Sequence, residues 1–200
     1  MKVIGLCGGS GSGKGEIGRL FSKKNIPVID TDAVYHELTS QRSACLDELA
    51  ECFGDSIIDE KGSLDRAALA KLVFAPDAQD KRRMLNKVTH KHILAKTREH
   101  LSEFSASGFD FCVVDAPLLF ESGFNSECDI IVSVIADKSV RVERIMARDL
   151  ISCEAAEKRI ASQLDDEFLI KNSDFVISNN GTLDELNEKF DLVLKKIKNI

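Results

Sequence analysis

A glycine-rich loop directly behind an apolar run constrains this chain more than any other feature. Val3-Ile4-Gly5-Leu6-Cys7 reads as a short buried strand, and Gly8-Gly9-Ser10-Gly11-Ser12-Gly13-Lys14 follows without a spacer. Together they satisfy G-x-x-x-x-G-K in the context it requires, a strand entering a loop that opens a helix. Glycine allows the tight backbone path, so successive N–H groups point inward as an anion cradle. The helix that follows adds the positive end of its dipole, and Lys14 adds a full charge. Gly9, Gly11, Ser12, Gly13, Lys14, Gly15 and Glu16 are therefore the expected contacts of a nucleoside triphosphate, ATP in the reading the whole chain supports below. One position departs from the pattern. After Gly-Lys the motif wants Ser or Thr, whose hydroxyl holds Mg²⁺, and Gly15 supplies no side chain.

Other apolar runs follow at intervals suited to an α/β chain. Pro27-Val28-Ile29, Phe111-Cys112-Val113-Val114, Ile130 to Ile135 and Phe175-Val176-Ile177 read as strands. Helical stretches separate them: Ile17, Leu20 and Phe21 on a helix ending near Asn25, a long polar and helical region from about Ala33 to Phe104, and Ser139 to about Glu167. A final helix opens on the capping box Thr182-Leu183-Asp184-Glu185, with Leu183, Leu186, Phe190, Val193, Leu194 and Ile197 as its expected buried face. Short, continuously apolar strands alternating with helices imply a parallel sheet covered on both faces. Ligands of such sheets bind beyond the carboxyl ends of the strands. The glycine loop, Asp30/Asp32 and Asp115 all stand at such ends.

Phosphoryl transfer needs cations, metal ligands and, for a hydroxyl acceptor, a base. Asp32 is the candidate base, with an equal reading as N-cap of a helix beginning at Ala33. Asp30 reads as a turn residue or supporting partner. Asp115 stands where a carboxylate approaches Mg²⁺ through water, against the plainer reading of a turn ahead of Pro117. With Gly15 lacking a hydroxyl, Asp115, Glu121 or water would carry more of the metal. Arg141, Arg144 and Arg148 fall on one helix face, and Arg159 follows after Ser152, a candidate N-cap. A solvated face paired with Glu143 and Asp149 is the bland reading. A lid that neutralises transferring phosphate is the sharper one, with Arg148 foremost and Arg144 at the nucleotide. His90 and His92, two apart on a helix, face different directions and do not form a metal pair. Tyr35 reads as packing at a core or rim.

The net charge of −6 over 200 residues offers no nucleic-acid footprint. No apolar run reaches the ~20 residues of a membrane span. The first strand starts at the N-terminus, so no signal peptide is expected. Six cysteines without a C-x-x-C pair, two of them inside strand runs, fit a reducing, cytoplasmic setting.

Taken in order, several stretches resemble the dephospho-CoA kinase family over nearly the full length. They are Gly5-Leu6-Cys7-Gly8-Gly9 into the glycine loop, Pro27 to Asp32, Leu64-Asp65-Arg66-Ala67-Ala68-Leu69, Asp115-Ala116-Pro117-Leu118-Leu119-Phe120-Glu121, Ala147-Arg148-Asp149, and Arg159-Ile160-Ala161-Ser162-Gln163. The resemblance implies a three-layer P-loop NTPase fold, with core segments 1–34, 108–138 and 168–200. It also implies a helical substrate domain at 35–107 and a helical lid at 139–167. It implies ATP and dephospho-CoA as substrates, Mg²⁺, and a monomer or weak oligomer. Asp32 matches the family's base and Lys14 its phosphate-binding lysine. The chain departs from the family at Gly15-Glu16, where Ser-Thr is usual, and at His90-Lys91, where His-Pro is common. Competing readings are a nucleoside or nucleotide kinase, and a weakened P-loop nucleotide-binding protein in which Gly15 has cost the metal ligand. The absence of arginine between Arg19 and Arg42 disfavours a phosphate acceptor.

Overall fold

The computed structural model describes residues 1–75 and 77–200. Five strands, β1 (Lys2–Gly8), β2 (Val28–Asp30), β3 (Phe111–Asp115), β4 (Ile130–Ile135) and β5 (Phe175–Ser178), form one sheet in the order β2-β3-β1-β4-β5. The pairs β1–β3, β1–β4 and β4–β5 are parallel, and Leu6 lies level with Asp115. The helices are α1 (Lys14–Lys23), α2 (Thr31–Thr39), α3 (Ala44–Phe53), α4 (Arg66–Val73), α5 (Gln79–Ala106), α6 (Lys138–Asp149), α7 (Cys153–Ala161), α8 (Asp166–Lys171) and α9 (Leu183–Ile197). The chain divides into two compact units, Met1–Val28 with Phe104–Ile200, and Ile29–Glu103.

The first unit carries most of the sheet. Ile4, Leu6, Val113, Val132, Val134 and Ile177 alternate onto one face, where α1 and α9 cover them with Ile17, Phe21, Leu186, Phe190 and Leu194. Phe21 and Phe190 meet edge to face, ring centres 4.9 Å apart. On the other face an added Cβ at Gly5 would press on Leu119 at 2.9 Å and the Cys128 sulfur at 2.8 Å, so the 116–128 segment lies close on the strand. α1 stops where Asn25 turns left-handed, a conformation asparagine tolerates, and Ile26 N–H reaches back to Phe21 C=O. Thr182 caps α9 as expected by accepting from Glu185 N–H. Leu183, expected on the buried face, is instead 66% exposed: it sits in the first turn, beside the cap rather than over the sheet.

The second unit is helical around its own core of Cys45, Leu46, Leu49, Ile57, Leu69 and Val88, with Tyr35 packed at the margin. Leu64-Asp65-Arg66-Ala67-Ala68-Leu69 has a local explanation here. Leu64 and Leu69 are buried, and the Asp65 carboxylate caps α4 by accepting from Ala67 and Ala68 N–H. Lys91 Nζ and His92 Nε2 both lie 2.7 Å from Glu48, tying α5 to α3; hydrogen bonds from Lys91 and then His92 hold the Glu48 carboxyl below its ordinary range.

Candidate active site

At the carboxyl end of β1 the chain turns through Gly8 to Gly13, with Gly11 at φ 78° and Gly13 at φ 95°, and enters α1 at Lys14. Both dihedrals lie where only glycine is at ease. Lys14 leans onto Asp115 at the carboxyl end of neighbouring β3 and forms an ion pair, both side chains largely buried. The register that sets Leu6 beside Asp115 puts the carboxylate there. Gly18, one turn into α1, lies beside it: an added Cβ would meet Asp115 Oδ2 at 3.4 Å, an ordinary van der Waals contact.

The loop's outward carbonyls are held by side chains of α6 and by the residue that follows β5. Arg141 Nε donates to Ser10 C=O at 2.9 Å, Arg144 Nη1 to Gly11 C=O at 3.3 Å, and Asn179 Nδ2 to Ser12 C=O at 2.8 Å. Arg148 Nη2 reaches Ser10 Oγ at 3.3 Å. The predicted arginine face is therefore real and turned toward the loop. Arg141 is 4% exposed, which excludes a solvated role for it, and burial lowers the affinity of its guanidinium for the proton. Arg148 also pairs with Asp149, as the bland reading held, and Arg159 joins the same carboxylate. Arg148 and then Arg159 pull the Asp149 carboxyl down to about 2.

Gly15 is exposed, and among the described residues nothing beyond its chain neighbours and the backbone of its own helix comes within 4 Å of the position a Cβ would take. The Glu16 carboxylate is turned along the helix to Arg19 Nη1, 2.8 Å away. Ser12 Oγ is fully buried in the loop with no hydrogen-bond partner among the described residues.

The sequence profile of the dephospho-CoA kinase family matches residues 2–185. The chain belongs to the dephospho-CoA kinase family. A dephospho-CoA kinase of Corynebacterium glutamicum is 35% identical over 197 residues, which cover 98% of each chain. Among solved structures, TT1252 from Thermus thermophilus is 31% identical, with a TM-score of 0.79 over 98% of this chain and 97% of that one. Dephospho-CoA kinase from Campylobacter jejuni is 25% identical, with a TM-score of 0.73 over 98% of both.

Of the site residues expected from the sequence, the structure brings the glycine loop, Lys14, Asp115, Arg144 and Arg148 together in one unit. The helix after β2 starts earlier than expected. Asp30, not Asp32, is the N-cap, accepting from Asp32 N–H at 2.9 Å and Ala33 N–H at 3.3 Å. Its extended backbone lets its side chain fold over the first turn, while Asp32 already stands inside that turn, exposed. The N-cap reading of Asp32 is thereby excluded. Asn179 was not foreseen; an isolated polar residue carries no spacing signal, although Asn179-Asn180 does follow a strand end. A small cavity of about 70 Å³ lies beside the loop, walled by Cys7, Gly9, Phe120, Glu121 and Gln163. Burial raises the Cys7 thiol to about 11, so it stays protonated and inert at neutral pH.

Proposed function

We propose that the chain transfers the γ-phosphate of ATP to the 3′-hydroxyl of dephospho-CoA, giving coenzyme A and ADP. The family match across almost the whole chain, with the Lys14–Asp115 pair at the mouth of an intact glycine loop, carries this reading. The loop's amides and Lys14 hold the polyphosphate, and Arg144 and Arg148 offset the charge that spreads over the transferring group. Asp32 takes the proton of the acceptor hydroxyl as its oxygen bonds to the γ-phosphorus and the bond to the bridging oxygen of ADP breaks. The exposed position of Asp32 in the first turn of α2, just past the carboxyl end of β2, supports that role. The helical unit Ile29–Glu103 is the acceptor-binding part, and the α6–α7 pair the lid.

Mg²⁺ accompanies ATP in this reading and supplies charge neutralisation at the phosphates. The donors fit a metal held mainly through phosphate and water. Asp115 is the chain's own carboxylate at the loop, Gly15 leaves open space where a hydroxyl is usual, and among the described residues no cluster of three acidic, His or Cys side chains could hold a metal. Six thiols and no disulfide among the described residues fit a reducing, cytoplasmic setting.

A coupled ADP-release assay tests the proposal, with dephospho-CoA, adenosine and AMP offered separately across a Mg²⁺ titration. Turnover on dephospho-CoA alone is expected. Preference for AMP would replace the reading by a nucleotide kinase. ATP binding with no turnover on any acceptor would select the weakened protein that Gly15 permits.

A further inference from the structure

One residue of the glycine loop is gripped at every polar atom it has. Ser10 N–H donates to Gln163 Oε1 at 2.9 Å, Ser10 C=O accepts from Arg141 Nε at 2.9 Å, and Ser10 Oγ meets Arg148 Nη2 at 3.3 Å. The two backbone grips are themselves joined, since Arg141 Nη2 donates to the same Gln163 Oε1 at 3.0 Å. The result is a closed ring of hydrogen bonds through the backbone of one residue, Ser10, and two side chains. Arg141 is nine-tenths buried or more, and the nearest carboxylate paired with it, Asp166, is 3.4 Å away.

Gly9 explains its own identity within this ring. An added Cβ there would overlap the Arg141 guanidinium and come within 3.1 Å of Gln163 Oε1. Gly9 therefore lacks a side chain to admit the grip. Gln163 comes just after the Ser162 C-cap of α7 and just before Asp165, the N-cap of α8. It thus fixes the point where the α6–α7 pair returns to the chain.

We propose that Gln163, with Arg141, is a positioning residue that locks the Ser10 peptide and so pre-shapes the loop for polyphosphate. This rests on the loop being the ATP site. A loop rich in glycine samples many backbone states when unrestrained. Binding phosphate would then have to order it, and ordering weakens affinity. The ring does that ordering before the nucleotide arrives. Because the hydrogen bonds of the Gln163 side chain among the described residues go to the loop backbone and Arg141, its effect follows the phosphates and not the base.

Calorimetric titration of full-length Gln163→Leu with ATP, ADP and adenosine tests this. Affinity for ATP and ADP is expected to fall about tenfold, the usual worth of one buried, charge-assisted hydrogen bond. Adenosine affinity should change less than twofold, the KM for ATP should rise, and the KM for the acceptor should hold. Unchanged or tighter ATP binding by the variant overturns the proposal, the tighter case marking the ring as an obstacle that ATP must break. If wild-type protein binds neither ATP nor ADP, the ATP-site reading falls with it, a result distinct from equal binding by the two proteins. Should the variant not fold, hydrogen exchange on nucleotide-free wild type decides. A protected Ser10 amide supports the lock, and exchange at the free-chain rate overturns it.

Discussion

Lys14 and Asp115, 101 residues apart in sequence, close an ion pair across the carboxyl ends of β1 and β3. The pair holds the ammonium at the mouth of the loop. In the proposed reaction, removing Lys14 would leave the transferring phosphate without a fixed cation at the loop. Lys14→Ala should lower kcat by at least about 10²–10³, the range seen when one preorganised charge-stabilising group is lost. ADP release measured on variant protein with an unchanged circular dichroism spectrum checks this. Activity within twofold of wild type would remove the phosphate-site assignment.

Asp32→Asn isolates the proton-accepting step. The amide keeps the size of the side chain and leaves the Asp30 cap of α2 intact. An expected fall in kcat of about 10²–10⁴, the usual contribution of a positioned base, should come with unaltered ATP affinity. A loss of ATP affinity equal to the loss of rate would place Asp32 in nucleotide binding instead.

Gly15 and Gly13 should respond in opposite ways to added side chains. Around Gly15 there is open space, and the residue lies in the first turn of α1, where serine is also the better helix former by a few tenths of a kcal/mol. Gly15→Ser should therefore fold at least as well as wild type and lower the Mg²⁺ concentration at half-maximal ATP binding severalfold. At Gly13 the backbone is left-handed and an added Cβ would overlap Asn179 Nδ2, so Gly13→Ala should abolish ATP binding. Calorimetry at stepped Mg²⁺ reads both. An unchanged Mg²⁺ midpoint in Gly15→Ser would mean that water already fills the hydroxyl's place.

The strands and the loop were legible because parallel strands buried on both faces leave uninterrupted apolar runs, and the loop's glycines have a fixed spacing. The arginine face was legible too, through the i, i+3, i+7 rule, but not its target. Nothing in the spacing of Arg141, Arg144 and Arg148 says that they reach the carbonyls of residues 10 and 11 and the Ser10 hydroxyl, a contact made across some 130 positions of chain. Local ambiguity explains the rest. Asp30 and Asp32 are both acids at a strand end, and only the direction in which the backbone leaves β2 decides which one caps. Leu183 keeps the apolar period of α9 but lies beyond the edge of what the helix covers. Asn179 and Gln163 act through single side chains on distant backbone, which no period records.

Asp149 gives the arginine cluster a defined acid limit. Its carboxyl is depressed from 3.8 to about 2 by Arg148 and then Arg159. A folded value below the unfolded one means that its contribution is fully present above about pH 4 and is lost as pH falls toward 2. The side-chain carboxyl carbon of Asp149 should titrate by NMR with a midpoint near 2. Arg148→Ala should move that midpoint upward, because it removes the larger of the two causes. A wild-type midpoint at 3.8 would show that the Arg148–Asp149–Arg159 grouping does not persist in solution.

Phe21 anchors the helix that carries Lys14. Its ring is fully buried and meets Phe190 of α9 edge to face, at 88°. Phe21→Ala should cost about 3–5 kcal/mol, the sum of lost burial and the cavity left behind, and Phe190→Ala about the same. The two losses should not add, because each variant already breaks the ring contact. A coupling of about 0.5–1.5 kcal/mol is expected from a double-mutant cycle in urea. The single variants should also raise the KM for ATP, since a loosened α1 no longer fixes Lys14 against Asp115. Full additivity in the cycle would mean that the rings merely fill adjacent space, and an unshifted KM would uncouple this packing from the phosphate loop.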